Sequence, residues 1–261
     1  MITDILEKSI NYLKFYKDRI KLPLELEKSK QYFINEEDKG NIITKDKEES
    51  YKTINIIEEE NLFAEEWEKS GTLIDLNESI KYCTKCNLHK TRTNFVFGSG
   101  NHKSDIVIIG EAPGSEEDLQ GQPFVGRAGM LLTKMLNSIN LNREDVFICN
   151  ILKCRPPGNR NPLPEEIKMC EPYLMKQLKL INPEFILALG SFAAQTILKT
   201  KEPLGKLRER IFNYNISGKV IRMIVTFHPA ALLRNPHWKK PTWEDLKMFK
   251  ALYDEYKRNK N

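Results

Sequence analysis

Four short apolar runs fix what this chain can become. Ile106–Gly110 (IVIIG), Val146–Asn150 (VFICN), Phe185–Gly190 (FILALG) and Ile221–Phe227 (IRMIVTF) are almost uninterrupted. They are too short for core helices and are rich in β-branched residues. Patterns of helical spacing separate them, near Ala128–Ile139, Pro164–Ile181 and Ser191–Leu198, with a last one near Trp243–Lys257. A strand without polar alternation needs cover on both faces, and strand–helix alternation supplies it. The expected fold is therefore α/β: three layers, αβα, around a central parallel four-stranded sheet. In such folds ligands sit at the carboxyl ends of the strands.

The rest of the chain divides in two. Residues 1–80 hold 12 Lys/Arg against 19 Asp/Glu, and the remaining 181 hold 29 against 17. A basic body suits a polyanion, because phosphate contacts release counterions. Residues 1–75 read as an N-terminal extension. Ile2, Leu6, Ile10, Leu13 and Ile20 recur at helical spacing, and a charge-rich stretch over residues 35–70 reads as an acidic linker. Residues 76–261 form the expected functional domain. The extension carries no visible chemistry; a protein partner or autoinhibition of the basic face are its assigned roles. No run of eighteen apolar residues suits a membrane span, and the charged N-terminus does not read as a secretory signal. A cytoplasmic monomer is expected.

The loops after the strands hold the candidate chemistry. The first runs Gly110-Glu111-Ala112-Pro113-Gly114, then SEED, then GQPFVGRAG from Gly121 to Gly129. It is neither a Walker A loop nor a dinucleotide fingerprint. Phe124 is an unusual choice for a Gly/Pro-rich turn, and a flat ring there could stack on a planar ligand. The second strand ends in Asn150, whose amide offers a donor and an acceptor, as a pyrimidine edge requires. Lys153-Cys154-Arg155-Pro156-Pro157-Gly158-Asn159-Arg160 follow. The fourth strand ends in His228-Pro229-Ala230-Ala231-Leu232-Leu233-Arg234. Glu111, Asn150 and His228 would share one rim.

Five cysteines in a chain without an export signal argue for metal or catalysis over disulfides. Cys83 and Cys86 form a half-site by spacing, and Cys154 with Cys170 could complete it, leaving Cys149 as an apolar strand residue. Four cysteines suit zinc or an iron–sulfur cluster, and spacing does not separate the two.

These motifs together resemble the family 4 uracil-DNA glycosylases, from about Leu76 to Leu233. The resemblance rests on Cys83-x2-Cys86, Thr91-Arg92 before Val96-Phe97-Gly98, GEAPGSEED, QGQPFVGRAG, Asn150 before KCRPPGNRNP, Cys170 and HPAALLR. It implies a uracil-DNA glycosylase-like fold and a [4Fe–4S] cluster on Cys83, Cys86, Cys154 and Cys170. It implies that Glu111 positions the attacking water, that Phe124 stacks on extruded uracil, and that Asn150 bonds the uracil edge. His228 would oppose the charge on the departing base, with Glu117 in support and Gly110 and Ala112 also against the base. Ala112 stands where the wider superfamily places a catalytic Asp, so no strong general base is assigned.

The implied reaction is hydrolysis of the N-glycosidic bond of uracil in DNA, leaving an abasic site for base excision repair. Extruding a base costs a few kcal/mol and stacking returns about 1–3 kcal/mol. Leu232 and Leu233 are expected to wedge into the vacated stack. Arg155, Arg160 and Arg234 are expected to meet DNA, with the cluster bracing the loop that carries the first two. The rivals are a glycosylase with shifted base preference and a non-catalytic iron–sulfur DNA-binding module.

Overall fold

The computed structural model describes residues 65–260. The helix expected over the first thirty residues, and most of the acidic linker, lie outside the described residues. The linker's last residues are packed: a 3-10 turn at Glu66–Lys69 sets Trp67 edge-on against Tyr173, with ring centroids 4.9 Å apart.

Helix α1 (Leu73–Ile80) is started by Thr72, whose hydroxyl accepts the Asp75 N–H, and it buries Leu73, Leu76 and Ile80. Then follow β1 (Ser99–Gly100), β2 (Ile106–Gly110), α2 (Ser115–Gln120), α3 (Arg127–Asn137), β3 (Phe147–Asn150) and α4 (Pro164–Ile181). The chain continues through β4 (Phe185–Leu189), α5 (Ser191–Leu198), α6 (Leu204–Leu207), β5 (Ile211–Ile216), β6 (Lys219–Thr226), α7 (Pro229–Arg234) and α8 (Lys239–Lys260).

The α/β class stands, but the sheet has six strands where the sequence reading expected four. Its order is β1-β3-β2-β4-β6-β5. The four expected runs form its parallel centre, and β1 and β5 add antiparallel edges. Strand β1 is a Ser-Gly pair with no apolar pattern to read. Strand β5 (IFNYNI) alternates apolar with polar residues, as an edge does. It joins β6 through Ser217 and Gly218, both at positive φ, the two-residue turn that hairpins favour.

Alternation along the parallel strands explains why the runs are apolar throughout. Val107, Ile109, Ile186, Ala188, Met223 and Val225 pack with the residues of α1, α4 and α5. Ile106, Ile108, Phe185, Leu187 and Ile224 pack on the opposite layer, with Leu132, Leu136, Leu246 and Phe249. Burying each such side chain stabilises the fold by about 1.5–3 kcal/mol. From β2 the chain passes to β3 on one side, then crosses to β4 on the other. That reversal opens a crevice at the carboxyl ends. No helix among the described residues is long and apolar enough to cross a membrane.

Candidate active site

The crevice holds a cavity of about 330 Å³ lined by the loops after β2, β3 and β6. Glu111, Ala112, Phe124, Asn150, His228, Arg160 and Arg234 all face it. The rim expected from Glu111, Asn150 and His228 is thus assembled from three separate loops.

Gly110, expected against the base, does not itself line the cavity but lies against two side chains that do. It lies opposite Asn150 in the β2–β3 register. A Cβ on Gly110 would fall 2.4 Å from Asn150 Oδ1 and 2.5 Å from the Phe124 ring. Only a glycine lets that amide and that ring meet over the strand end. Phe124 takes a left-handed backbone (φ 54°), rare for a bulky residue, and is 5% exposed. Its conformation is held from two sides. Glu117 Oε1 accepts the N–H groups of Val125 and Gly126, both at 2.9 Å, while Oε2 accepts Gly114 N–H at 3.1 Å. Arg143 donates to Pro123 O at 3.0 Å. Glu117 is therefore the brace of the loop that presents Phe124.

Asn150 is 1% exposed, and its Oδ1 has no hydrogen-bond partner among the described residues. A buried acceptor left open costs about 1–3 kcal/mol unless something completes it. Its main-chain carbonyl accepts from Lys153 Nζ at 2.9 Å. Lys153 is itself fully buried and also reaches Gln177, whose amide bonds Phe97 O. Burial pushes the Lys153 ammonium down from its usual range, with nearby Cys149 and Cys170 opposing.

His228 caps α7, its Nδ1 accepting the Ala230 N–H at 3.2 Å. That bond puts the proton of the neutral ring on Nε2. Burial, aided by the Arg234 cation, lowers its pKa to about 4. The ring is therefore a neutral donor at neutral pH. It lies 5.4 Å from Phe124, centroid to centroid. Glu111 is held by the pairing of Leu152 N–H with its carbonyl. Burial raises its carboxyl pKa, and Arg234 pulls the other way.

The residues expected to meet DNA behave differently from one another. Leu232 is 1% exposed and packs in the core, which corrects the expectation that it wedges into DNA. Adjacent helical positions lie about 100° apart, so when Leu232 faces inward Leu233 faces out. Leu233 is 40% exposed. Arg160 forks onto the Glu166 carboxylate at 2.9 and 2.6 Å, and Arg155 bonds Asn159. Sequence reasoning missed Lys153 and Gln177, although a lysine inside the apolar stretch VFICNILKC was a signal.

A second pocket lies beside α4, lined by Cys83, Cys86, Cys154 and Cys170 together with Arg92 and Tyr173. None of the five cysteines is in a disulfide, and Cys149 is buried within β3. No three His, Cys, Asp or Glu among the described residues are set for a single metal ion. The four sulfurs instead ring a shared space with donors aimed at them. Arg92 Nη1 reaches Cys154 Sγ at 3.2 Å, Tyr173 Oη reaches Cys83 Sγ at 3.3 Å, and Lys153 N–H reaches Cys170 Sγ at 3.3 Å. Thiolates in a cluster take such donors.

A family model described as the uracil DNA glycosylase superfamily matches residues 97–247. The type-4 uracil-DNA glycosylase of Archaeoglobus fulgidus is 48% identical over 180 residues, covering 67% of this chain and 90% of that protein. That of Thermotoga maritima is 49% identical over 161 residues, covering 61% and 82%. The chain belongs to the type-4 uracil-DNA glycosylases. A type-5 uracil-DNA glycosylase of Pyrobaculum aerophilum is more distant, 26% identical over 148 residues covering 51% and 64%. Within this type-4 chain the family match spans every residue named around the crevice, from Gly110 to Arg234, and also Cys154 and Cys170.

Proposed function

We infer that the protein removes uracil from DNA by hydrolysing its N-glycosidic bond and leaves an abasic site. One observation carries the reading: the open, buried Oδ1 of Asn150 at the floor of the crevice. Uracil offers an N3–H donor beside an O4 acceptor, and the amide answers both, Oδ1 accepting and Nδ2 donating. Cytosine reverses that pattern and would leave buried polar groups unpaired. Such a mismatch is worth roughly 10⁴–10⁵ in selectivity.

The other residues take roles that fit the bond being broken. Phe124 stacks on the base. As the C1′–N1 bond breaks, its electron pair passes to the uracil, and the Nε2–H of neutral His228 donates to the uracil carbonyl oxygen that becomes negative. Glu111, which Arg234 draws toward its ionised form against burial, orients the water whose oxygen bonds C1′ and favours the positive sugar; the proton that the water sheds ends on the departing uracil anion. Gly110 and Ala112 let the base approach the floor. Arg155, Arg160 and Arg234 meet the phosphates, and Leu233 alone takes the wedge role.

Cys83, Cys86, Cys154 and Cys170 would hold a [4Fe–4S] cluster, and the donors on their sulfurs fit that group. When bound, it would supply a cross-link between the Cys83–Cys86 loop, the Cys154 loop and α4. The same reading divides the chain into an extension over residues 1–75, with a protein contact of its own, and a monomeric cytoplasmic enzyme over 76–261.

The test is an oligonucleotide bearing a single uracil, incubated with the protein and then treated with hot alkali. Cleavage at uracil and none in the thymine control is expected. Binding without base release would leave the non-catalytic module, and release of another base would mean a shifted preference.

A further inference from the structure

Beside the crevice, a run of residues is arranged for contact in a way that the reaction at the base does not use. The turn Pro236–Trp238 follows α7 and sets the Trp238 indole flat on Phe227, with centroids 4.8 Å apart and planes 15° from parallel. Phe227 immediately precedes His228 and lies under the Arg208 guanidinium at 4.4 Å. Arg208 is in turn fixed by Asp245 at 2.7 and 3.0 Å, and Asp245 by the Thr226 hydroxyl at 2.6 Å. Trp238 O accepts the Thr242 hydroxyl at 2.7 Å. The indole is thus held by a buried network before anything binds.

Its surroundings are cationic and open. Trp238 is 39% exposed and Trp243 40%. Arg234, His237, Lys239 and Lys240 are exposed around them. The nearby acids are engaged elsewhere, Glu244 with Lys247 and Asp245 with Arg208. Arg234 already lines the crevice, so the patch is continuous with it.

We propose that Trp238, flanked by Lys239 and Lys240, is a stacking platform for a DNA nucleotide next to the one in the crevice. Any base can stack on an indole, and the lysines supply the phosphate contacts that hold the strand over it. A preset ring loses little freedom on binding, which is the advantage of the Phe227 support. The inference rests on the reading that the crevice takes an extruded uracil from DNA.

The experiment compares turnover on a long uracil oligonucleotide and on a short control whose two nucleotides flanking the uracil are base-free tetrahydrofuran analogues, which keep the phosphates and offer nothing to stack. Trp238→Ala is expected to raise KM on the long substrate by roughly 5- to 100-fold, with kcat little changed. On the control with base-free flanks the variant's KM should equal the wild-type value, and Trp238→Phe should restore most of the loss on the long substrate. Equal loss on both substrates, or none on either, overturns the platform. Should Trp238→Ala fold poorly, Lys239→Gln/Lys240→Gln decides: its log KM should respond to log salt with a slope shallower by about 1–2, and an unchanged slope counts against the proposal. If the wild-type protein releases no uracil, the catalytic reading fails on its own. The platform is then judged by tryptophan quenching on undamaged oligonucleotide, which Trp238→Phe should reduce and which an unaltered signal would refute.

Discussion

The two pockets of this molecule are built on opposite rules. In the cysteine pocket Cys83, Cys154 and Cys170 each receive a hydrogen bond from Tyr173, Arg92 or Lys153. In the crevice the floor amide keeps an open acceptor, and the histidine keeps its Nε2–H free of its own cap. A site that surrounds its ligating atoms with donors is suited to a permanent occupant. A site that leaves polar atoms open in a dry place is suited to a guest that arrives, completes them and leaves. The difference separates structure from turnover, and substitutions in each pocket should fail in different ways.

The largest effect belongs to the floor. On the proposed role Asn150→Ala removes two hydrogen bonds to the base, each worth about 1–3 kcal/mol in a buried setting, so kcat/KM on uracil oligonucleotide should fall roughly 10²–10⁴-fold. The visible absorption of the proposed cluster should be unchanged; a variant that also lost it would break the separation.

His228→Ala comes next, with kcat lower by about 10²–10³, the usual cost of one transition-state donor. The same side chain shapes acid stability. Its folded pKa of about 4 lies below the ordinary histidine value. The unfolded chain therefore binds the proton more readily, and stability is lost as pH falls from about 6.5 toward 4, by roughly 3 kcal/mol. Urea midpoints at pH 7 and pH 4 should differ less in the variant than in the parent. Equal differences would place the acid loss elsewhere.

In the cysteine pocket, Arg92→Ala deletes the bond to Cys154 and those to the carbonyls of Cys83 and Lys81. Bonds made by a charged group are worth about 1.5–3 kcal/mol, so chelator should strip iron faster and the thermal midpoint should drop. On protein still loaded, kcat should match the parent. Smaller again is Arg234→Ala. Arg234 opposes the burial that raises the Glu111 pKa, so its loss should move the acid limb of kcat/KM to higher pH. A shift to lower pH would contradict the assigned pairing. The least effect is expected for Tyr173→Phe, about 0.5–1.5 kcal/mol of stability for its bond to Cys83, read by denaturant midpoint.

Much of this was legible in the sequence, for particular reasons. Continuous apolar runs marked the parallel strands because both faces are covered, and strand ends marked the loops that meet at the crevice. Edge strands escaped because a Ser-Gly pair has no pattern and IFNYNI reads as half-solvated, although Ser217-Gly218 signalled a hairpin. Leu232 and Leu233 were indistinguishable as letters; only the helical rotation that buries one and exposes the other assigns them. Glu117 could be recognised by motif but not explained, since the N–H groups it gathers come from Gly114, Val125 and Gly126, brought together only by the fold. Trp238 escaped for a similar reason: its ring is defined by what lies beneath it.

Lys153 lines neither pocket but bonds a wall of each. Its ammonium holds the carbonyl of Asn150 and the Gln177 amide, while its own N–H holds Cys170. The two sites therefore share an inheritance. A substitution at Lys153, unlike one at the Asn150 side chain, reaches the crevice floor and the Cys170 contact together, so it should weaken turnover and retention of the proposed cluster at once. The constraint falls on which evolutionary routes are open, since a route through Lys153 would have to change base preference and retention of the proposed cluster together.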